Sequence, residues 1–122
     1  MSKRKAFINP QLPLTPPIFY ILLSLATKER HGYDIMKQVQ EDSKGKVNLG
    51  PGTLYGAIKR MAEAKLVVAV DNSSSDRRKY YKLTEKGRSI FSNELGRYHD
   101  AVKLAKKRSL LGGFPVAELT YV

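Results

Sequence analysis

The feature that most narrows the fold of this 122-residue chain is one change of hydrophobic period in its second half. Up to Lys65, apolar residues recur at the three-to-four spacing of a helix face. At Leu66 the pattern breaks into a short β-branched run, Val67-Val68-Ala69-Val70, and a second strand-like run follows at Lys79-Tyr80-Tyr81-Lys82-Leu83. Between them Asp71 to Arg78 is a polar turn ending in Arg77-Arg78. After Thr84 the helical period returns. The two runs and the turn between them read as a β-hairpin with a cationic tip. The expected class is mainly α with a small β-hairpin.

The helices are legible from their ends and their apolar faces. Thr15 offers an N-cap and Pro16 suits a first helical turn. Ile18, Phe19, Ile21, Leu22, Leu23 and Leu25 then cover most of a helix circumference, which predicts a central helix or one shared with a second subunit. Thr27 to Arg30 is a polar break. His31-Gly32 opens a second helix to about Glu41, with Ile35, Met36 and Val39 on one face. Ser43 to Gly50 is a polar connection, and Gly50-Pro51-Gly52 introduces a third helix from about Thr53 to Lys65. Leu54, Ile58 and Met61 form its core stripe. Thr53, Tyr55, Gly56, Lys59, Arg60 and Glu63 lie away from that stripe.

Three helices followed by a two-stranded wing make a winged helix-turn-helix. Lys and Arg number 22 against 11 Asp and Glu, a formal charge of +11. Such an excess repels itself in the folded state, and a polyanion offsets it. The expected partner is therefore double-stranded DNA. The third helix starts on small residues that permit close approach to phosphates. Tyr55, Lys59 and Arg60 continue along its outward face, where two readings stand for each: contact with phosphate or base edge, or a solvated surface side chain. Arg77, Arg78 and Lys79 sit where the hairpin bends and suit the DNA backbone or a narrow minor groove. Lys3, Arg4 and Lys5 read as a further arm or as a basic tail.

The last helix runs from Thr84, its cap, to about Leu111, with Gly112-Gly113 ending it. Phe91, Leu95, Tyr98, Val102 and Ala105 advance by four, three, four and three residues, the mean of 3.5 that marks a coiled-coil seam. With Phe19 and Leu22 of the first helix, these residues are the expected homodimer interface. The resulting division is a basic arm (1–13), a winged-helix DNA-binding domain (14–83), a C-terminal dimerisation helix (84–111) and a tail (112–122).

Four segments, in order, resemble the PadR family of transcriptional regulators. They are His31-Gly32-Tyr33-Asp34-Ile35, Gly52-Thr53-Leu54-Tyr55, Arg77-Arg78-Lys79-Tyr80-Tyr81-Lys82-Leu83-Thr84 and Gly87-Arg88. The resemblance spans roughly Leu14 to Ser92. It implies a dimeric winged helix, mostly a repressor, acting on operators of two-fold symmetry and dimerising through the C-terminal helix. It implies DNA contact by Thr53, Tyr55 and the basic wing, and adds Tyr33, which touches phosphate or braces the second helix. Two positions depart from the family pattern: Gly56 stands where proline is common, and Lys65 where glycine usually precedes the wing. Multidrug-sensing members often use a tryptophan at the dimer centre; this chain has none.

The other classes find less in the residues. His31 and His99 are the only histidines, cysteine is absent, and no Gly-rich phosphate loop follows a strand, so no catalytic residue, metal or cofactor is expected. His31 reads as a helix cap. Pro10, Pro13, Pro16 and Pro17 follow the basic start where a signal peptide needs an apolar helix, and Ile18 to Ala26 is too short to span a bilayer. A cytoplasmic protein without membrane attachment is expected. Two alternatives remain for the binding face. One is a sensor with a small-molecule effector, apolar, in a dimer cleft formed by Phe19, Leu22, Tyr98 and Val102. The other is an adaptor that binds protein through the wing and third helix.

Overall fold

A computed structural model describes residues 13–71 and 77–113. The basic arm with Lys3, Arg4 and Lys5, the tail beyond Gly113 and the turn between Asp71 and Arg77 lie outside the described residues. The elements in chain order are α1 (Pro16–Thr27), β1 (Arg30–His31), α2 (Gly32–Asp42), α3 (Pro51–Glu63), β2 (Val67–Val70), β3 (Tyr80–Leu83) and α4 (Glu85–Lys107).

α1 starts where Thr15 Oγ1 accepts the Ile18 amide and two prolines occupy its first turn. Its apolar residues separate once folded. Ile18, Ile21, Leu22 and Leu25 enter the core with Ile35 and Val39 of α2 and Leu54, Ile58 and Met61 of α3. Phe19, Tyr20 and Leu23 stay half-buried at its edge. α1 is thus the central helix, packed against α2, α4 and the sheet. Each fully buried aliphatic side chain here contributes about 1.5–3 kcal/mol relative to exposure, which is why one central helix organises so short a chain.

The wing is a sheet of three strands rather than the expected two-stranded hairpin. β2 pairs with β3 from Val67 opposite Leu83 to Val70 opposite Tyr80. On the other edge of β3, Arg30 pairs with Tyr81 and His31 with Tyr80. Arg30, assigned to a polar break by its sequence, is buried. Its Nε donates to the Ser24 carbonyl at 2.6 Å and its guanidinium reaches Asp34 at 3.0 Å and Thr27 Oγ1 at 3.3 Å. The end of α1, the start of α2 and the sheet are joined by this one side chain.

Helix ends also differ from expectation. α3 runs from Pro51 to Glu63, two residues earlier at each end, and α4 stops at Lys107 rather than Leu111. In α2, α3 and α4 the chain turns off through a left-handed residue, Lys44, Lys65 and Ser109 in turn. The next amide in each case bonds back to the helix: Gly45 to Gln40, Leu66 to Met61, Leu110 to Ala105. This paired closure satisfies the orphan carbonyls without glycine at the left-handed position.

Where α3 ends, α4 begins. Thr84 caps α4 by accepting the Gly87 amide at 3.0 Å, while its hydroxyl donates to the Lys65 carbonyl at 2.6 Å and its own amide to the Leu66 carbonyl at 3.0 Å. A Cβ on Gly87 would stand 2.1 Å from that Leu66 oxygen, a backbone atom unable to yield locally. Gly87→Ala is therefore expected to destabilise the fold by about 1–3 kcal/mol, measured by denaturant unfolding. A neutral result would mean that the α3–α4 junction is looser than described.

Candidate nucleic-acid interface

α3 divides cleanly into two faces. Leu54, Ala57, Ile58 and Met61 are buried, and Thr53, Tyr55, Lys59 and Arg60 are exposed along the other side. Gly56 lies among them, half-buried, with open space where a Cβ would project. Arg77, Arg78 and Lys79 are exposed and lead directly into β3.

Contacts tie these parts to one region. Tyr55, although 47% exposed, bends its hydroxyl onto the start of α2: a Cβ on Gly32 would come within 2.1 Å of it. Hence the glycine at that position. Burial, and then the neighbouring Tyr55, raise the Tyr81 hydroxyl above the usual tyrosine range, and β3 pairs its Tyr80 with His31, the residue just before α2. Tyr33 is 66% exposed, and its ring lies nearly parallel to that of His31, the residue that caps α2. Tyr33, Tyr55 and the strand led by Lys79 therefore meet at the beginning of α2. Tyr55 does cover the edge of the fold while keeping nearly half its surface open.

The expected dimer residues fall into two groups. Leu22 is fully buried and Phe91 is 6% exposed, both inside the chain's own core, so neither presents a surface to a second subunit. The apolar stripe that each belongs to is continuous, but folding covers its inner part. Leu95, Tyr98 and Val102 are exposed by 41%, 43% and 46%, and Phe19 and Ala105 are half-buried. No residue from Leu95 to Lys107 is buried. Off the seam, Leu104 and Leu111 are exposed as well. Phe19 and Tyr98 touch each other, ring centroids 5.1 Å apart, and so fill part of the space assigned to an effector. An open cleft of about 410 Å³ lies elsewhere, lined by Leu23, Ser24, Thr27, Arg30, Gln38 and Asp42.

At the root of that α4 surface sits a residue the sequence reading passed over. Glu94 is fully buried, accepting the Leu14 amide at 2.9 Å, the Tyr98 hydroxyl at 3.1 Å, and Arg97 Nε at 3.0 Å with a second contact from the same guanidinium. Its place three residues after Phe91, on the apolar face, was the available signal. Burial by itself would push the carboxyl upward, but the bonds from Arg97, Leu14 and Tyr98 outweigh it and hold Glu94 below its ordinary range. Burial and the same carboxylate raise the Tyr98 hydroxyl.

Three helices, the third with an open outer face, and a cation-led wing on a shared core define the winged-helix class of DNA-binding proteins. The model of the PadR-like family of transcriptional regulators matches residues 21–93, more than half of the chain. A PadR family transcription regulator of Clostridium difficile is 31% identical, with a TM-score of 0.63 over 76% of this chain and 97% of that one. A PadR-like transcriptional regulator of Bacillus cereus has the same fold at 22% identity, TM-score 0.63, covering 76% and 90% of the two chains. An uncharacterised protein of Lysinibacillus sphaericus is 28% identical over 74 residues, 59% of this chain and 68% of that protein. The chain belongs to the PadR-like family of transcriptional regulators. Among the described residues no helix is long and apolar enough to cross a membrane.

A carboxylate depressed by folding stabilises the native state fully above its unfolded value, near 4.5, and loses that contribution as pH falls through its folded value. Stability should therefore decline below about pH 4.5, with part of the decline absent in Glu94→Gln. Parallel acid unfolding curves for the two proteins would show that Glu94 does not carry it.

Proposed function

We propose that the chain is a transcriptional repressor that binds, as a homodimer, a two-fold symmetric operator in double-stranded DNA. The observation that carries this reading is the split surface of α3: its inner face is consumed by the core, and its outer face keeps Thr53, Tyr55, Lys59 and Arg60 in the open beside a strand led by three cations. A helix in this position enters the major groove, which is wide enough for it and carries the distinguishing base edges. Gly56 leaves that face low where backbone and base approach. Arg77, Arg78 and Lys79 reach the adjoining phosphates or minor groove, and Tyr33 donates to a phosphate. Residues 14–83 form the DNA-binding domain.

The far half of α4 supports pairing. A free helical arm of this length is marginal in water without a packed face, and it presents Leu95, Tyr98 and Val102 uncovered. A second copy buries these with Phe19 and Ala105, so 84–111 is the dimerisation segment. Two subunits related by a two-fold axis then present two recognition helices to two half-sites. Occupancy of the groove excludes other proteins from the same DNA, the simplest route to repression.

In duplex titrations across salt, Arg77→Ala combined with Arg78→Ala should weaken binding to all sequences and reduce the slope of log affinity against log salt by up to about 2. An unchanged slope removes the wing from the interface. Val102→Asp, at an exposed site, should leave the fold intact, and Tyr98→Asp, which also removes a bond to buried Glu94, should lower stability; both should yield monomers by sedimentation, with operator affinity lost. Persisting dimers in both variants would refute the α4 seam. Selection of bound sequences from a random pool tests the operator itself: a symmetric consensus is expected, and an asymmetric one is incompatible with the dimer reading.

A further inference from the structure

β1 is two residues long, yet it pairs with the wing strand β3 and leads directly into α2. His31 pairs with Tyr80 in β3. The same residue is the N-cap of α2, its Nδ1 accepting the Asp34 amide at 3.2 Å. Its ring stands edge-on to Tyr80 with centroids 5.3 Å apart, and nearly parallel to Tyr33 at 6.5 Å. The next residue, Gly32, is the one against which the Tyr55 hydroxyl of α3 is pressed. One imidazole thus contacts the wing strand and α2, and adjoins the contact to α3.

Capping does not account for an imidazole here. A cap needs a single acceptor, and Asn, Asp or Ser supplies it at least as well on a smaller side chain. What the ring adds is two aromatic contacts on two separate elements. We propose that His31 is a positioning residue for DNA binding: its ring is a wedge that fixes the wing against the α2–α3 unit, so that the cations at 77–79 and the outer face of α3 meet one duplex together. The β2–β3 ladder holds the hairpin to itself and Val67 and Leu83 anchor its base in the core, while at its other end the β1 pairing and this ring join Tyr80 to the start of α2. Two contact surfaces held at a fixed angle bind better than the same surfaces loosely joined, because loosely joined parts lose more freedom on binding. This inference rests on the DNA-binding reading of wing and α3.

Two substitutions separate the roles. H31N keeps the cap acceptor and removes the wedge; H31F keeps the ring and removes the acceptor. Amide exchange at Tyr80–Leu83 and the ring-proton shifts of Tyr33 and Tyr80 are read on the full chain without DNA, alongside thermal unfolding and affinity for a mixed-sequence duplex at low salt. H31N is expected to melt near the native temperature, exchange several-fold faster in β3 and bind about tenfold more weakly. H31F is expected to melt lower yet keep native exchange in β3 and, below its melting point, native affinity. Native exchange and shifts in H31N, or equal loss in both variants, would overturn the wedge, as would faster exchange without weaker binding. If the native chain binds no duplex, the DNA reading fails, and the exchange and shift data still decide whether His31 couples the wing.

Discussion

The backbone carbonyl of Leu66 is the point on which the fold closes. It accepts the first amide of the Thr84 cap, faces Gly87 without a side chain between, and follows a left-handed Lys65 whose carbonyl takes the Thr84 hydroxyl. The end of α3, the start of β2, the end of β3 and the start of α4 are all fixed there. Because the wing leaves and returns at this junction, its base is tied to both helices even though the strands are only four residues long. The direction of α4, and with it the placement of the exposed apolar arm, is set by the same few bonds.

Electrostatics is organised differently inside and outside. The chain carries +11 overall, and the exposed outer face of α3 and the approach to β3 are cationic. Inside, two charged groups, Arg30 and Glu94, are retained at the seams between elements. Each is satisfied: Arg30 by a carbonyl, a hydroxyl and a carboxylate, Glu94 by an amide, a phenol and a guanidinium. Among the described residues no buried side-chain polar atom is left without a partner. Buried charges of this kind contribute little net stability against an apolar replacement, but they punish misalignment severely. Arg30 aligns α1 with α2 and the sheet, and Glu94 aligns the start of α1 with α4.

Local signals carried the helices well. Caps at Thr15 and Thr84, the His31 cap and the apolar stripes of α2 and α3 are properties of a few neighbouring residues, and the structure has them where the chain announces them. The three-stranded sheet was not legible, because Arg30-His31 is polar and becomes a strand only when Tyr80 and Tyr81 arrive from fifty residues away. The early end of α3 was hidden because Lys65 takes a conformation that glycine normally signals. Leu22 and Phe91 show a further limit: an apolar surface destined for the chain's own core has the same residue pattern as one left open. The outward row of α3 and the cations before β3 could be read directly, since what marks them is the absence of apolar periodicity. The aromatic meeting point at the start of α2 could not, since it joins three elements distant in sequence.

The left-handed helix ends set backbone strain against surface charge. α3 is flanked by two such residues, Lys44 upstream and Lys65 downstream, both exposed. Glycine would relax each position by roughly 1 kcal/mol, and it would also delete a positive charge on either side of α3. Both flanks thus hold a cation in a strained backbone conformation. A glycine at either place would reverse that balance, easing the turn and lowering the positive charge of the surface.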